Sequence, residues 1–201
     1  MHMPNVIVVK NPYPPGDFAI WIIVYVELLT FGLLFVGYAY SRRVNLQIFN
    51  DSQLLLNHTI GFINTLILIT SSYLIVRGVE TIKTMQLHQR YEASMRASKW
   101  LLGAMMLGST FLVLKLSEFS HLFAQGITLS TNTFFMFYLL LTMFHFMHVT
   151  LGVVILYNLY RKTKNQGYTP TDCRGLETGA IYWHLVDLLW IVLFPLIYIM
   201  R

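Results

Sequence analysis

Seven ionisable side chains stand inside long apolar runs of this sequence: Glu27, Lys115, Glu118, His145, His148, His184 and Asp187. A charge at the centre of a bilayer costs at least ~2.5–3.5 kcal/mol on insertion scales, so such residues face protein, water or a partner. Their spacing is regular. Lys115 and Glu118, His145 and His148, and His184 and Asp187 each stand three apart, which puts both members on one face of a helix. Lys115 and Glu118 can neutralise each other. His184 and Asp187 make a ready intramembrane hydrogen-bonded pair.

Three chemistries fit these residue types. Glu118 and His121 form an ExxH pair, and such pairs on facing helices build di-iron sites in bundles. A smaller metal site could draw on His145, His148, His184 and Asp187. Alternatively the acids and histidines mark a proton or ion path. The third reading is structural: interhelical hydrogen bonds worth about 0.6–2 kcal/mol each. Cys173 is the only cysteine, which excludes paired-thiolate metal sites, CxxCH haem attachment and an intrachain disulfide. Met105 and Met106 read as packing, as do Asn64, Thr65, Ser71 and Ser72. The four tryptophans, Trp21, Trp100, Trp183 and Trp190, include interface anchors. No phosphate loop, nucleophile elbow or dinucleotide-binding turn is present.

The elements that must position these residues are membrane helices. Of 201 residues, 56% are hydrophobic and 11% charged, where a soluble domain carries about 25% charged residues. Mean hydropathy is +0.58. Five apolar segments reach the ~20 residues needed to cross a bilayer, at roughly 18–40, 58–79, 99–123, 132–160 and 177–200. In lipid the backbone must satisfy itself, so these are helices. The fold class is all-α: a polytopic membrane protein, one membrane domain over 1–201, built as a bundle of five transmembrane helices. The short uncharged loop AQGITLST makes helices three and four antiparallel neighbours. Pro195 should bend the last helix near its outer end. The stretch from Val79 to Ser98 reads as helix extensions and a turn, with Glu92 and Arg96 on one face.

Charge sets the orientation. One side carries Lys10, Arg77, Lys83, Arg90, Arg96, Lys99, Arg161, Lys162, Lys164 and Arg174; the other carries Arg42, Arg43 and Arg201. The positive-inside rule places the N-terminus in the cytoplasm and the C-terminus outside. Cys173 then sits where thiols stay reduced. The basic balance, net +5, is this topology signal and not a nucleic-acid footprint. The first 17 residues, with four prolines, lack the pattern of a cleaved signal peptide. Depth also separates the candidate ligands. At 1.5 Å per residue, the Glu118–His121 pair near the outer end of helix three lies ~15 Å or more from His184 and Asp187 in the inner third of helix five.

The last helix reads YWHLVDLLWIVLFPLIYI from Tyr182, and helix four reads FYLLLTMFHFMHVTLG from Phe137. Together they resemble the two signatures of the cytochrome c oxidase subunit III family, approximately T-G-x-H-x-x-H-V-x-x-G and W-H-x-V-D-x-x-W. His145, His148, Val149 and Gly152 match the first; Trp183, His184, Val186, Asp187 and Trp190 match the second. Met143 replaces the family glycine, which should alter local packing. Glu27 in IVYVELLTFGLLF and Glu118 in LGSTFLVLKLSEF stand at family carboxylates. The resemblance covers about 18–200 and fits five-helix members, because two N-terminal helices of the seven-helix form are absent. The core from Asn64 to Ser72 looks most like NorE-type proteins associated with nitric oxide reductase.

The resemblance implies a non-redox accessory subunit of a respiratory haem-copper superfamily complex, NorE-type, in a bacterial-type inner membrane. Subunit III of an aerobic cytochrome c or quinol oxidase is the alternative. A stand-alone metal-dependent membrane oxidoreductase is a further one. The implied partner is a catalytic haem-containing membrane subunit, which carries the haem and any copper or non-haem iron. Membrane lipids and a structural phospholipid are expected, and no nucleic acid. Glu27, Glu118, His145, His148, His184 and Asp187 become polar structural or lipid-proximal residues, with no catalytic, cofactor-binding or metal-binding role. The topology is tested by reporter fusions: alkaline phosphatase joined after Arg201 should be active, and the same reporter joined within the 165–173 loop should be inactive. The reverse pattern overturns the orientation.

Overall fold

A computed structural model describes residues 14–200. Lys10 and Arg201, used above for orientation, lie outside the described residues. Among the described residues six α-helices follow one another: α1 Phe18–Val44, α2 Leu46–Gln53, α3 His58–Lys83, α4 Arg90–Ala124, α5 Thr133–Lys164 and α6 Arg174–Phe194. A 3-10 turn, Leu87–Gln89, precedes α4, and a π turn, Pro195–Ile199, extends α6. Five helices are long and apolar enough to cross a membrane: α1, α3, α4, α5 and α6 with its π turn.

Their starts are written locally. Asn57 accepts hydrogen bonds from the Thr59 and Ile60 N–H groups at the head of α3, and Asn132 accepts one from Phe135 at the head of α5. These side chains answer amide groups that the first helical turn leaves unpaired. The helices run longer than the apolar segments. α3 runs on to Lys83 and α4 begins at Arg90, so the stretch from Val79 to Ser98 is helix extensions and a turn, as expected: hydropathy marks only the portion in hydrocarbon while the backbone ladder continues into the interface. α2 was not expected at all. Eight residues are too short to read as a span, yet Phe49 is fully buried against Tyr38 and Phe134. Gln53 ties α2 to the end of the chain by donating to the Ile197 carbonyl at 2.8 Å.

α3 and α4 pair most extensively, α4 pairs with α5, and α6 packs on α3, α5 and α1. α6 is the most buried span and α1 the least. Helices α4 and α5 are joined by the short 125–132 connection and run antiparallel, as expected. α1 and α6 start at the same end: Gly16 N–H donates to Glu177 Oε2 at 3.0 Å and Asp17 N–H to Thr178 Oγ1 at 3.0 Å. Lys83 closes this end with an ion pair to Glu177 at 2.5 Å. Cys173, next to it, is buried, and burial together with the nearby Glu177 charge pushes its thiol above the ordinary range.

Trp183 and Trp190 are wholly enclosed, so these two are core residues and not interface anchors. The Trp183 ring fits because glycines face it. A Cβ on Gly108 would come within 2.5 Å of the Trp183 ring, and one on Gly152 within 3.0 Å. Gly32 on α1 has nothing within 4 Å. Gly108→Ala should therefore overpack the core and cost about 1–3 kcal/mol. Gly32→Ala should be neutral or slightly stabilising through helix propensity. Thermal unfolding in mild detergent checks the pair; equal melting temperatures would overturn this packing account.

Candidate functional site

The polar residues fall into three separate groups. The first centres on Lys115, which is 1% exposed. Its Nζ donates to Glu118 Oε2 at 3.0 Å and to the Tyr198 hydroxyl at 2.7 Å. Glu118 Oε1 accepts from Tyr198 at 2.6 Å and from Tyr138 at 2.8 Å. The ammonium also lies 5.0–5.7 Å from the ring centroids of Phe119, Tyr138, Trp190 and Tyr198, within reach of cation–π attraction. Lys115 and Glu118 come from α4, Tyr138 from α5, and Tyr198 from the π turn after α6. The expected neutralising pair is present. What the sequence reading missed was its aromatic enclosure, for which four rings on three helices carry no local spacing signal.

The second group joins α1 to α5. His148 Nδ1 donates to the Phe144 carbonyl at 2.8 Å, which turns Nε2 toward Glu27. Nε2 stands 3.1 Å from Glu27 Oε2, an ion-pair distance without hydrogen-bond alignment. Tyr182 donates to the His148 carbonyl at 3.2 Å. His145, one turn earlier, does not join this group. It is fully buried, lies against Trp190 with ring centroids 5.2 Å apart and meets the edge of Phe111 at 5.8 Å. Among the described residues neither of its ring nitrogens meets a hydrogen-bond partner.

The third group joins α3 to α6. Ser72 Oγ is 2.6 Å from His184 Nδ1, while Asp187 Oδ2 is 3.6 Å from the same nitrogen. The expected His184–Asp187 hydrogen bond is thus replaced. Three residues along a helix, the short aspartate stops beside the ring, and the serine crossing from α3 reaches it first. Serine, histidine and aspartate meet here, but both oxygens approach one ring nitrogen. A nucleophile relay needs the base and its orienter on opposite nitrogens, so the group is not built for acyl transfer.

The four residues weighed as a metal site are dispersed: His145 into the aromatic core, His148 to Glu27, His184 to Ser72, and Asp187 beside it. Among the described residues no three His, Cys, Asp or Glu side chains form a metal-holding group. The ExxH pair also divides, because Glu118 turns inward while His121 is exposed and contacts Gln125 Nε2 at 2.9 Å. The polar residues of α3 do more than fill space. Ser71 donates to the Ala104 carbonyl at 3.0 Å, and Thr65 accepts from Trp190 Nε1 at 3.0 Å. Met143, where the family has glycine, is 42% exposed and so lies partly on the outer face of α5.

The model of the family described as cytochrome c oxidase subunit III matches residues 18–201. This chain belongs to the cytochrome c oxidase subunit III family. It is 34% identical over 175 residues to cytochrome c oxidase subunit 3 of Thermostichus vulcanus, covering 87% of this chain and 82% of that one. Against cytochrome c oxidase subunit 3 of Synechocystis it is 34% identical over 139 residues, 69% of this chain but only 55% of that protein. Cytochrome bo(3) ubiquinol oxidase subunit 3 of Pseudomonas aeruginosa is 25% identical over 190 residues, with 91% and 84% covered. The match spans every transmembrane helix, so all three polar groups lie inside the family's own frame.

The Lys115 group yields a stability prediction. Lys115→Met alone strands a buried carboxylate and Glu118→Gln alone strands a buried ammonium, each costing about 3–5 kcal/mol. The double variant should be less damaged than the sum of the two, because neither charge remains. Folded yield and thermal midpoint of all three check this. Strict additivity would mean that the residues act independently.

Proposed function

We propose that this chain is subunit III of a haem-copper terminal oxidase that uses cytochrome c or quinol. It serves as a non-redox accessory subunit supporting assembly, stability and lipid packing. The observation that carries this reading is the family match across residues 18–201, with relatives whose names are oxidase subunits of both kinds. The internal chemistry supports it. Lys115 and Glu118 answer each other, and Glu27 meets His148. His145 is sealed among rings. Haem and copper then belong to the catalytic partner subunit, and phospholipid fills the face around α1. The chain sits in the bacterial inner membrane, with the start of α1 on the cytoplasmic side.

The finer likeness to NorE-type proteins rests on the stretch from Asn64 to Ser72. Thr65, Ser71 and Ser72 serve there in contacts with α4 and α6, a packing role that distinguishes no partner. The oxidase reading is therefore preferred over nitric oxide reductase. Isolation from native membranes in mild detergent should bring down a subunit with haem and copper in equal molar amount. Recovery with a haem and non-haem iron subunit would turn the assignment to nitric oxide reductase, and recovery alone would overturn both. Deleting the chain should leave the partner's initial turnover near normal and shorten its active lifetime. An immediate loss of turnover with intact haem would contradict the accessory role.

A further inference from the structure

Polar side chains that face the membrane in this bundle are mostly closed within their own helix. Thr30 donates to the Val26 carbonyl, Thr70 to Leu66, Thr110 to Met106 and Thr150 to Phe146, at 2.7–2.9 Å. Each hydroxyl is thereby made compatible with hydrocarbon. The seam between α3 and α6 is different. His184 has a side chain 36% exposed, and only its Nδ1 is engaged, by Ser72. Its Nε2 has no hydrogen-bond partner among the described residues and is not enclosed. Asp187 makes no hydrogen bond to any described residue, although its side chain is 10% exposed. Its carboxylate is likewise not sealed inside. Asp187 is thus largely buried, with the 3.6 Å approach to His184 Nδ1 as its one ionic contact, and it opens with the His184 Nε2 on the same seam with hydrogen-bonding capacity left over among the described residues.

The surroundings have the form of a helix seat. His184, Asp187, Leu188 and Ile191 follow the i, i+3, i+4, i+7 spacing of one helix face, and Leu188 and Ile191 are 49% and 47% exposed. Across the seam α3 presents Tyr73 and Val76, 59% and 47% exposed. Toward the Lys83 end the seam widens into a groove of about 440 Å³ lined by Val76, Val79, Glu80, Lys83, Ala180 and His184. Lipid tails cannot answer a carboxylate, so an apolar strip with an acid at its centre fits a protein helix carrying a donor at the same depth.

We propose that the α3–α6 seam is the docking surface for a transmembrane helix of the haem-bearing subunit, and that this helix presents a cationic or amide donor to Asp187. The proposal rests on the oxidase-subunit reading above and adds the face and the anchoring group. Truncating one partner of a desolvated charged contact weakens association by about tenfold or more. Asp187→Leu should therefore reduce recovery of the haem-bearing subunit by about tenfold or more, while this chain's own abundance in the membrane stays near normal. If the abundance of this chain falls instead and the surviving fraction retains its partner, Asp187 is an internal structural residue and the proposal fails.

A second measurement is independent of that variant. A photo-crosslinking amino acid is placed singly at Val76, Leu33, Met106 or Met147 in the assembled complex in native membranes. These positions sample the seam and the outward faces of α1, α4 and α5. Val76 should capture a helix of the haem-bearing subunit, and mass spectrometry should find a Lys, Arg, Asn or Gln within one turn of the captured residue. Capture of that subunit only from Leu33, Met106 or Met147, or capture of quinone or phospholipid alone at Val76, overturns the docking surface and leaves the subunit reading intact. If no haem-bearing subunit accompanies the unmodified chain, the subunit reading fails and the docking surface with it.

Discussion

Lys115 holds its ammonium where water cannot reach it, and the cost of such a charge is several kcal/mol unless paired and hydrogen-bonded. The fold answers with a carboxylate three residues on, two phenol hydroxyls and a set of aromatic faces. No single helix could supply these. Glu118 can share the face of α4 by spacing alone, but Tyr138 and Tyr198 must arrive from α5 and from the end of α6. The charge therefore selects the relative rotation and depth of three helices. Hydrophobic burial cannot do this in lipid, where the solvent is as apolar as the side chains.

The placement of Tyr198 depends in turn on Pro195. Proline has no N–H to give the carbonyl one turn earlier and crowds it sterically. Here the chain widens into a π turn from Pro195 to Ile199, closed by Met200 N–H donating to the Pro195 carbonyl at 3.0 Å. The wider turn carries Tyr198 to Lys115 and Glu118, and leaves the Ile197 carbonyl to accept from Gln53 of α2. A short helix outside the membrane core, a proline and a buried ion pair are thus one mechanical unit. Gly61 permits the approach, since a Cβ there would come within 2.9 Å of Phe194 and 3.2 Å of Tyr198.

Much of this was legible before any coordinates. The five spans follow from apolar length and the Lys115–Glu118 pair from its spacing. The unreadable parts share a cause: they depend on contacts between helices. Same-helix spacing placed His145 beside His148 and His184 beside Asp187. Interhelical geometry sent His145 to Trp190, His148 to Glu27 and His184 to Ser72. Hydropathy likewise could not see α2, whose eight residues are fixed to the bundle through Phe49, Ser52 and Gln53. Tryptophan composition suggests interfaces, yet Trp183 is buried because Gly108 and Gly152 make room for it.

The way polar capacity is closed separates the roles of these residues. A hydroxyl bonded to its own helix carries no information about neighbours, and it can face lipid. A group bonded across helices, such as Ser71 to the Ala104 carbonyl, fixes packing and must be inside. Lys115 and Glu118 belong to this class, and Glu27 and His148 approach each other across helices at 3.1 Å without a hydrogen bond. They specify one arrangement among helices that would otherwise slide. Asp187 belongs to neither class, because among the described residues it makes no hydrogen bond and only approaches His184 Nδ1 at 3.6 Å. In a medium without water, an acid left without a hydrogen bond among the described residues is the kind of group that can specify an arrangement with a second chain, by the same physics that Lys115 applies within the first.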